Sequence, residues 1–478
     1  MSIEQMAVKE KTCVNGILVI YNHSFYPIAS NMFEHIKAFR ANSRFPVREV
    51  NAYFGFPEVL RELEFKVIVL HYSLFAYLPF VEEEFRAYIA ECGSSYKVAF
   101  FQDEYWFWPE RSEMLNRFKV ECVYTCIEPE CYEATYLKYT RVPRLVTYLP
   151  GYVSEEMVEV ASRVSRPDGE RRVDIGYRGR LSPDFIWLGK GACEKYEIGV
   201  SFREMAVGAG LVLDIETEES KRIYGDAWLA FLGDCRAVLG VEAGASIFDI
   251  DNTIFPRYRR FREEHPELSV EQVYERVLFE YDGKGVCYRT MSPRLFEAAA
   301  VHSCQILFEG RYSGILKPMV HYIPLKKDFS NFDEVIAMFR DESLRRELTD
   351  NAYRDLIASG QYSYQQFIKK FDQECLNAGL KQEIKTEEIE RIDNLLREAE
   401  NVQLKKLLEA KSSELQDILS KYVGLQFQYM EQQKTPLHIL LKRIPGDQLK
   451  IFMKKVLNKS KNKAGEIFGK IRRIAPII

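Results

Sequence analysis

The first third of the chain is paced by short apolar runs with no polar alternation inside them. These are Gly16–Tyr21, Lys66–His71, Lys97–Phe101, Cys122–Cys126 and Arg144–Leu149. A strand that is apolar on both faces is one covered by other layers on both sides, as in a parallel sheet. Helical periodicity over Ser30–Ala41 and Val81–Glu91 fills two of the gaps. The alternation predicts an α/β domain with a mostly parallel sheet, residues 1–160.

Pro150-Gly151 breaks this rhythm, and the charged, Pro- and Gly-containing stretch Ser162–Arg172 reads as a linker. A second alternating block, residues 173–378, then begins. Its strands are expected at Asp174–Tyr177, Leu211–Ile215, Ala237–Gly240, Cys304–Phe308 and His321–Leu325. Its helices are expected at Ser201–Ala209, Ala227–Leu232, Leu295–His302, Asn331–Phe339 and Glu342–Ala358. The stretch 383–431 is charged, nearly free of Gly and Pro, and carries Ile389, Ile392, Leu395, Leu396, Leu404, Leu407 and Leu408 at helical spacing. It reads as one long helix or a coiled coil, which could join two copies of the chain into a homo-oligomer.

Composition fits a globular protein: 47% hydrophobic and 28% charged residues over 478 positions, enough for two or three domains. The net charge of −4 argues against a nucleic-acid binder. The charge is unevenly placed, because residues 434–478 hold 12 Lys and Arg against Asp447 and Glu466. Apolar positions from Leu449 to Ile474 recur among these cations, the pattern of an amphipathic basic helix. Docking on an anionic membrane surface, binding a partner protein and a solvated charged face are its three readings. No run of about 18 apolar residues is present. The polar start Met1–Thr12 is unlike a secretory leader, and the ten Cys are scattered without zinc-type pairing. A cytoplasmic protein is expected, touching the inner face of the plasma membrane if the tail docks there.

Ligands of parallel α/β sheets bind beyond the carboxyl ends of the strands. In the second block that rule selects Arg178, Gly179 and Arg180 after the first strand, with Lys190 and Lys195 downstream. Glycine lets a phosphate approach the backbone, and Arg or Lys balances its charge. It also selects Glu242 and Ser246 within the small-residue stretch Gly240–Ile250. Asp249-Ile250-Asp251 has the spacing of a metal-binding Asp pair, but solvated loop acids are the default reading. In the first block the rule selects His23, then His71 with Tyr72, then Asp103 and Glu104 with Trp106 beside them. A His or carboxylate there suits a general base, and an aromatic ring suits a sugar face.

Three stretches carry a resemblance. They are Gly176–Leu181 (GYRGRL), Arg294–Ala300 (RLFEAAA) and His321–Ile336 (HYIPLKKDFSNFDEVI). With them the chain from Gly16 to Asp372 resembles the GT-B superfamily of nucleotide-sugar glycosyltransferases, family-1/family-4-like, including spore-maturation CgeB-type transferases. The resemblance implies two Rossmann-like domains facing a cleft, the first for the acceptor and the second for the donor. It implies that Arg180, helped by Lys190 or Lys195, grips the donor diphosphate, and that Glu297 holds the ribose hydroxyls. The family often has a second Glu eight positions before the one matched by Glu297, and here that position is Arg289, which with Arg294 is a candidate phosphate contact. The implied partners are a nucleotide sugar and a saccharide or lipid-linked acceptor, in cell-surface polysaccharide or glycolipid assembly. No cofactor or metal is expected. Two other readings stay open: a nucleotide-sugar epimerase on the same fold, and a non-catalytic scaffold, the latter favoured by Arg289.

Overall fold

The structure, a computed structural model, describes residues 11–23, 30–75, 82–179, 183–286, 288–382 and 386–432. Its first sheet contains β1 (Thr12–Tyr21), β2 (Val47–Asn51), β3 (Leu63–Leu70), β4 (Tyr96–Phe100), β5 (Cys122–Thr125) and β6 (Arg144–Thr147). They run parallel in the order β2-β1-β3-β4-β5-β6. The chain leaves β1 to one side and returns on the other, so the topological switch point lies between β1 and β3. Ile17, Leu18, Val19 and Ile20 are fully buried, as their unbroken apolar run demands. The sequence pattern misses β2 because its residues, VREVN, look like a surface segment. Arg48 is in fact buried and paired with Asp393 at 2.6 Å.

The second sheet contains β7 (Val173–Arg178), β8 (Leu213–Glu216) and β9 (Cys235–Gly240). After a two-stranded antiparallel ribbon, β10 (Ala243–Ala245) with β11 (Tyr288–Thr290), come β12 (Cys304–Phe308) and β13 (Ile323–Leu325). The order β13-β12-β9-β7-β8 is again all parallel, with its switch point between β7 and β9. Two Rossmann-like sheets in tandem, followed by a helical C-terminal region, make this an α/β protein. The long helix is Thr386–Gln432, which crosses the boundary at Leu395 between the chain's two compact units. Among the described residues no helix is long and apolar enough to cross a membrane. The basic stretch 434–478 lies outside the described residues.

Helix Lys190–Met205 starts well before the expected Ser201. Its first turns, rich in small residues, have weak intrinsic propensity. Tertiary contacts supply what propensity lacks: the Lys190 N–H donates to Asp282 and the Gly191 N–H to Ser246, while Ala192 and Cys193 are buried. The stretch read as a linker, 162–172, is ordered against the second sheet. Its Arg171 is buried and donates to the carbonyls of Cys235 (2.6 Å) and Val301 (2.7 Å).

Chain passes between the two sheets side by side at 153 and 362–364. Val153 N–H donates to the Tyr362 carbonyl at 2.8 Å, and Tyr364 N–H to the Val153 carbonyl at 3.0 Å. Helix Tyr364–Asn377 then lies on the first sheet. Its Phe367 and Phe371 join Phe39, Phe100, Tyr124 and Tyr148 in one aromatic cluster. Asp372 accepts from Ser43 Oγ (2.6 Å) and Arg44 N–H (2.8 Å), and Glu374 pairs with Arg144 at 2.7 Å. Phe371→Ala should destabilise the protein by about 3–5 kcal/mol. Chemical denaturation followed by circular dichroism checks this, and a loss below about 1 kcal/mol would show that the helix is not part of the first core.

Candidate functional site

β7 ends at Arg178, and Gly179 follows with helix Lys190–Met205 pressed against it. A Cβ at Gly179 would lie 2.9 Å from the Lys195 carbonyl oxygen, so only glycine admits this approach. The contact places Lys195 at the carboxyl edge of the second sheet, beside the switch point. No ion-pair or hydrogen-bond partner is found for its ammonium among the described residues. Burial pulls its pKa down to about 8, with Arg294 and Arg289 pushing the same way and Asp103 and Glu194 opposing. This cation is poorly compensated and would gain from an arriving anion.

Arg294 stands exposed at the start of helix Arg294–Ala300, donates to the Arg178 carbonyl at 2.6 Å, and lies 5.1 Å from the Trp228 ring centre. One turn on, Glu297 accepts from the Trp228 indole N–H at 2.6 Å. Burial pushes the Glu297 carboxyl up, offset by that hydrogen bond and by Arg294. Lys195, Arg294 and Glu297, three of the expected donor residues, are thus held along one edge.

The other expected donor residues have structural partners. The Arg178 guanidinium turns away onto Asp214 (2.8 Å) and the Phe231 ring (4.3 Å). Lys190 pairs with Glu271 at 3.1 Å on the outside of the helix. Ser246 accepts from the Gly191 N–H, and Glu242 from the Tyr312 N–H at 2.8 Å. Arg289 bonds Glu194 and the Gly191 carbonyl, with Glu242 3.6 Å away. Its charge is balanced, unlike that of Lys195. Asp249 accepts from the N–H groups of Thr253, Ile254 and Phe255 at the start of helix Ile254–Glu264, so it is a helix cap. Arg180 lies outside the described residues.

On the first sheet, the expected catalytic groups separate sharply. His71 is fully buried. The Ser73 N–H donates to its Nδ1 at 3.1 Å, so Nε2 carries the proton and donates to His35 Nδ1 at 3.0 Å. Burial holds both imidazoles neutral, His35 down to about 3. With both nitrogens engaged, His71 has none for a substrate hydroxyl, which corrects its expected role as base. Glu104 is corrected likewise. It is fully buried and accepts from Thr125 Oγ1 (2.6 Å), Cys126 N–H (2.9 Å) and the Tyr136 hydroxyl, so its carboxyl, pushed up to about 7 by burial, braces β5.

Asp103 is different. It is exposed and sits in the left-handed region at φ 51°, at the carboxyl end of β4. The Tyr288 hydroxyl from the second sheet's ribbon accepts from its backbone N–H at 3.1 Å. A strained backbone held from across the seam is a common feature of functional positions. Trp106 packs edge-on against Trp187 at 4.7 Å, Tyr72 stacks on His71 at 4.0 Å, and His23 is held through its backbone by Asn51. These three residues, expected to face an acceptor, contribute to packing.

The sequence reading missed Glu34 and Trp228. Glu34 lies on the helix Ser30–Asn42 that follows β1. Its carboxyl is pushed up to about 7 by burial and then by Glu297, with a hydrogen bond to Ser154 opposing. The helix after a switch-point strand opens toward the same edge as the strand's end, and that rule would have drawn attention to it.

No protein-family model matches the sequence, and no curated protein matches it. Solved structures align with the chain at low identity. The protein HepE of Anabaena, solved with UDP-glucose, aligns with a TM-score of 0.41 and 10% identity, over 76% of this chain and 99% of that one. Sucrose-phosphate synthase of Thermosynechococcus elongatus gives a TM-score of 0.41 and 10% identity over 75% and 97%. TarM gives a TM-score of 0.35 and 11% identity over 65% of this chain and 54% of its own, so this chain spans about half of TarM. At such identity the chemistry has to be read from this chain's own residues.

A carboxyl whose folded pKa lies above its unfolded one favours folding below the unfolded pKa. It loses that contribution as pH rises through the folded pKa. For Glu34 the window runs from about 4.5 to about 7. Glu34→Gln should therefore raise Tm more at pH 8 than at pH 5, by about 1–2 °C. Calorimetry at the two pH values decides, and equal shifts would mean that Glu34 carries no unfavourable charge.

Proposed function

We propose that this protein is a glycosyltransferase that binds a nucleoside diphosphate sugar at the carboxyl edge of its second sheet. The observation that carries the reading is the poorly compensated Lys195 ammonium at the carboxyl edge, which Arg294 and Asp103 act on, with Glu297 one helical turn beyond Arg294. Two cations suit a diphosphate, and a fixed carboxylate suits the vicinal hydroxyls of a ribose. Arg180 is a further candidate for the diphosphate. A cationic grip on the leaving diphosphate stabilises charge that develops as the sugar bond breaks.

Asp103 is the proposed base for the acceptor hydroxyl, since it is the exposed carboxylate at the first sheet's edge that acts electrostatically on Lys195. The acceptor is a saccharide or a lipid-linked glycan. The basic, apolar-patterned stretch 434–478 supports one presented at an anionic membrane surface. Assembly of a cell-surface polysaccharide or glycolipid is the setting this describes, with the protein on the cytoplasmic side.

Isothermal titration with uridine, guanosine and adenosine diphosphates tests the reading. One of them should bind, and Lys195→Ala should weaken it about 10–100-fold. Because Lys195 loses its proton near pH 8, affinity should hold below that pH and fall above it, up to about tenfold per pH unit. Lys195→Arg should abolish the fall. Absence of binding by all three nucleotides would overturn the proposal. Separately, Asp103→Asn should lower kcat at saturating nucleotide sugar about 10²–10⁴-fold. A normal kcat in that variant would exclude Asp103 as the base.

A further inference from the structure

Trp228 stands on helix Asp226–Asp234, and nothing in the sequence pattern marks it as functional. Two neighbours fix its ring. Phe231, three residues on along the helix, stacks with it at 5.6 Å and 26°. The Arg294 guanidinium lies 5.1 Å from its ring centre and is itself anchored to the Arg178 carbonyl. A tryptophan held by a stacked ring and a cation presents its single N–H in one direction, and that N–H meets Glu297 Oε2 at 2.6 Å.

We propose that Trp228 is a positioning residue that fixes the Glu297 carboxylate for the two hydroxyls of a ribose, so that the site selects ribonucleoside over 2′-deoxyribonucleoside diphosphates. The inference rests on the nucleoside diphosphate reading above. A carboxylate offers about four lone-pair directions. Trp228 takes one on Oε2 and thereby sets the carboxylate plane, which leaves Oε1 to accept from the ligand. Glu34 adds a reason for such a brace. The Glu297 carboxylate pushes the Glu34 carboxyl up from the second sheet's side of the seam, because two neighbouring acids resist ionising together, so only one of the pair carries charge. A hydroxyl donates well to a carboxylate and poorly to a carboxylic acid. The indole N–H favours the ionised form of Glu297 and so keeps it an acceptor. An interaction of this kind discriminates by leaving a buried acceptor unpaired when the ligand hydroxyl is missing.

The test compares a nucleoside diphosphate that binds the wild type with its 2′-deoxy form, by titration calorimetry on the full chain. Wild type should prefer the ribose form by about tenfold or more. In Trp228→Phe the ribose form should weaken to the level of the deoxy form, whose own affinity stays put, so the preference falls to near one. An unchanged preference in Trp228→Phe overturns the inference while leaving the nucleotide reading intact. Failure of the wild type to bind any nucleoside diphosphate overturns both. Should Trp228→Phe not fold, indole ¹⁵N–H spectra of the wild type serve instead, with the Trp228 signal assigned by its shift in Glu297→Gln. That signal should move on adding the ribose form and much less on adding the deoxy form. Equal movement with both overturns the inference.

Discussion

Helix Tyr364–Asn377 belongs by sequence to the second block and by packing to the first sheet. Its Phe367 and Phe371 complete the aromatic face formed by Phe39, Phe100, Tyr124 and Tyr148, and its Asp372 and Glu374 bind polar groups at the sheet's margin. Everything proposed for the seam depends on this return. Asp103 and Glu34 come from one sheet, Lys195 and Glu297 from the other. They influence one another because the chain crosses over at 153, crosses back at 362–364, and is fastened where it lands.

The carboxyl edges of the two sheets are crowded with ionisable groups, and the structure sorts them by what surrounds them. Glu104 has three donors around one carboxylate, His71 is locked in a neutral pair, and Arg178 lies between Asp214 and Phe231. Buried polar groups paired in this way hold loops in register. Among the described residues Lys195 has no partner for its ammonium, and Asp103, which accepts from the Tyr105 hydroxyl at 3.0 Å, is exposed. A polar site with unused capacity beside a sheet's switch point is where a charged ligand gains most.

Much of the fold was legible in the sequence. Long apolar runs announced β1, β3, β4, β9 and β12, because burial on both faces leaves an unmistakable composition. What escaped was decided by distant contacts. β2 looks polar because Arg48 finds Asp393 far along the chain, and the first turns of helix Lys190–Met205 look weak because Asp282 and Ser246 cap them from outside. The same division runs through the site. The rule of strand ends selected Lys195 and Asp103 together with His71 and Glu104, while Arg294 and Glu297 came from the resemblance. Telling the two sets apart requires knowing each group's partners, and partners are tertiary facts. Trp228 was invisible because its importance consists entirely in a contact with Glu297, 69 residues away.

The fastening of Asp372 to Ser43 spans 329 residues. During synthesis the first sheet's strands emerge early, yet the helix that covers their aromatic face emerges last among the elements of that core. Until then Phe39, Phe100, Tyr124 and Tyr148 lack one wall, and a first half made alone presents an oily, incomplete surface. The loop to be closed is long, and contacts of such separation form slowly. The core of this chain's first domain is therefore completed only by a helix made after the second.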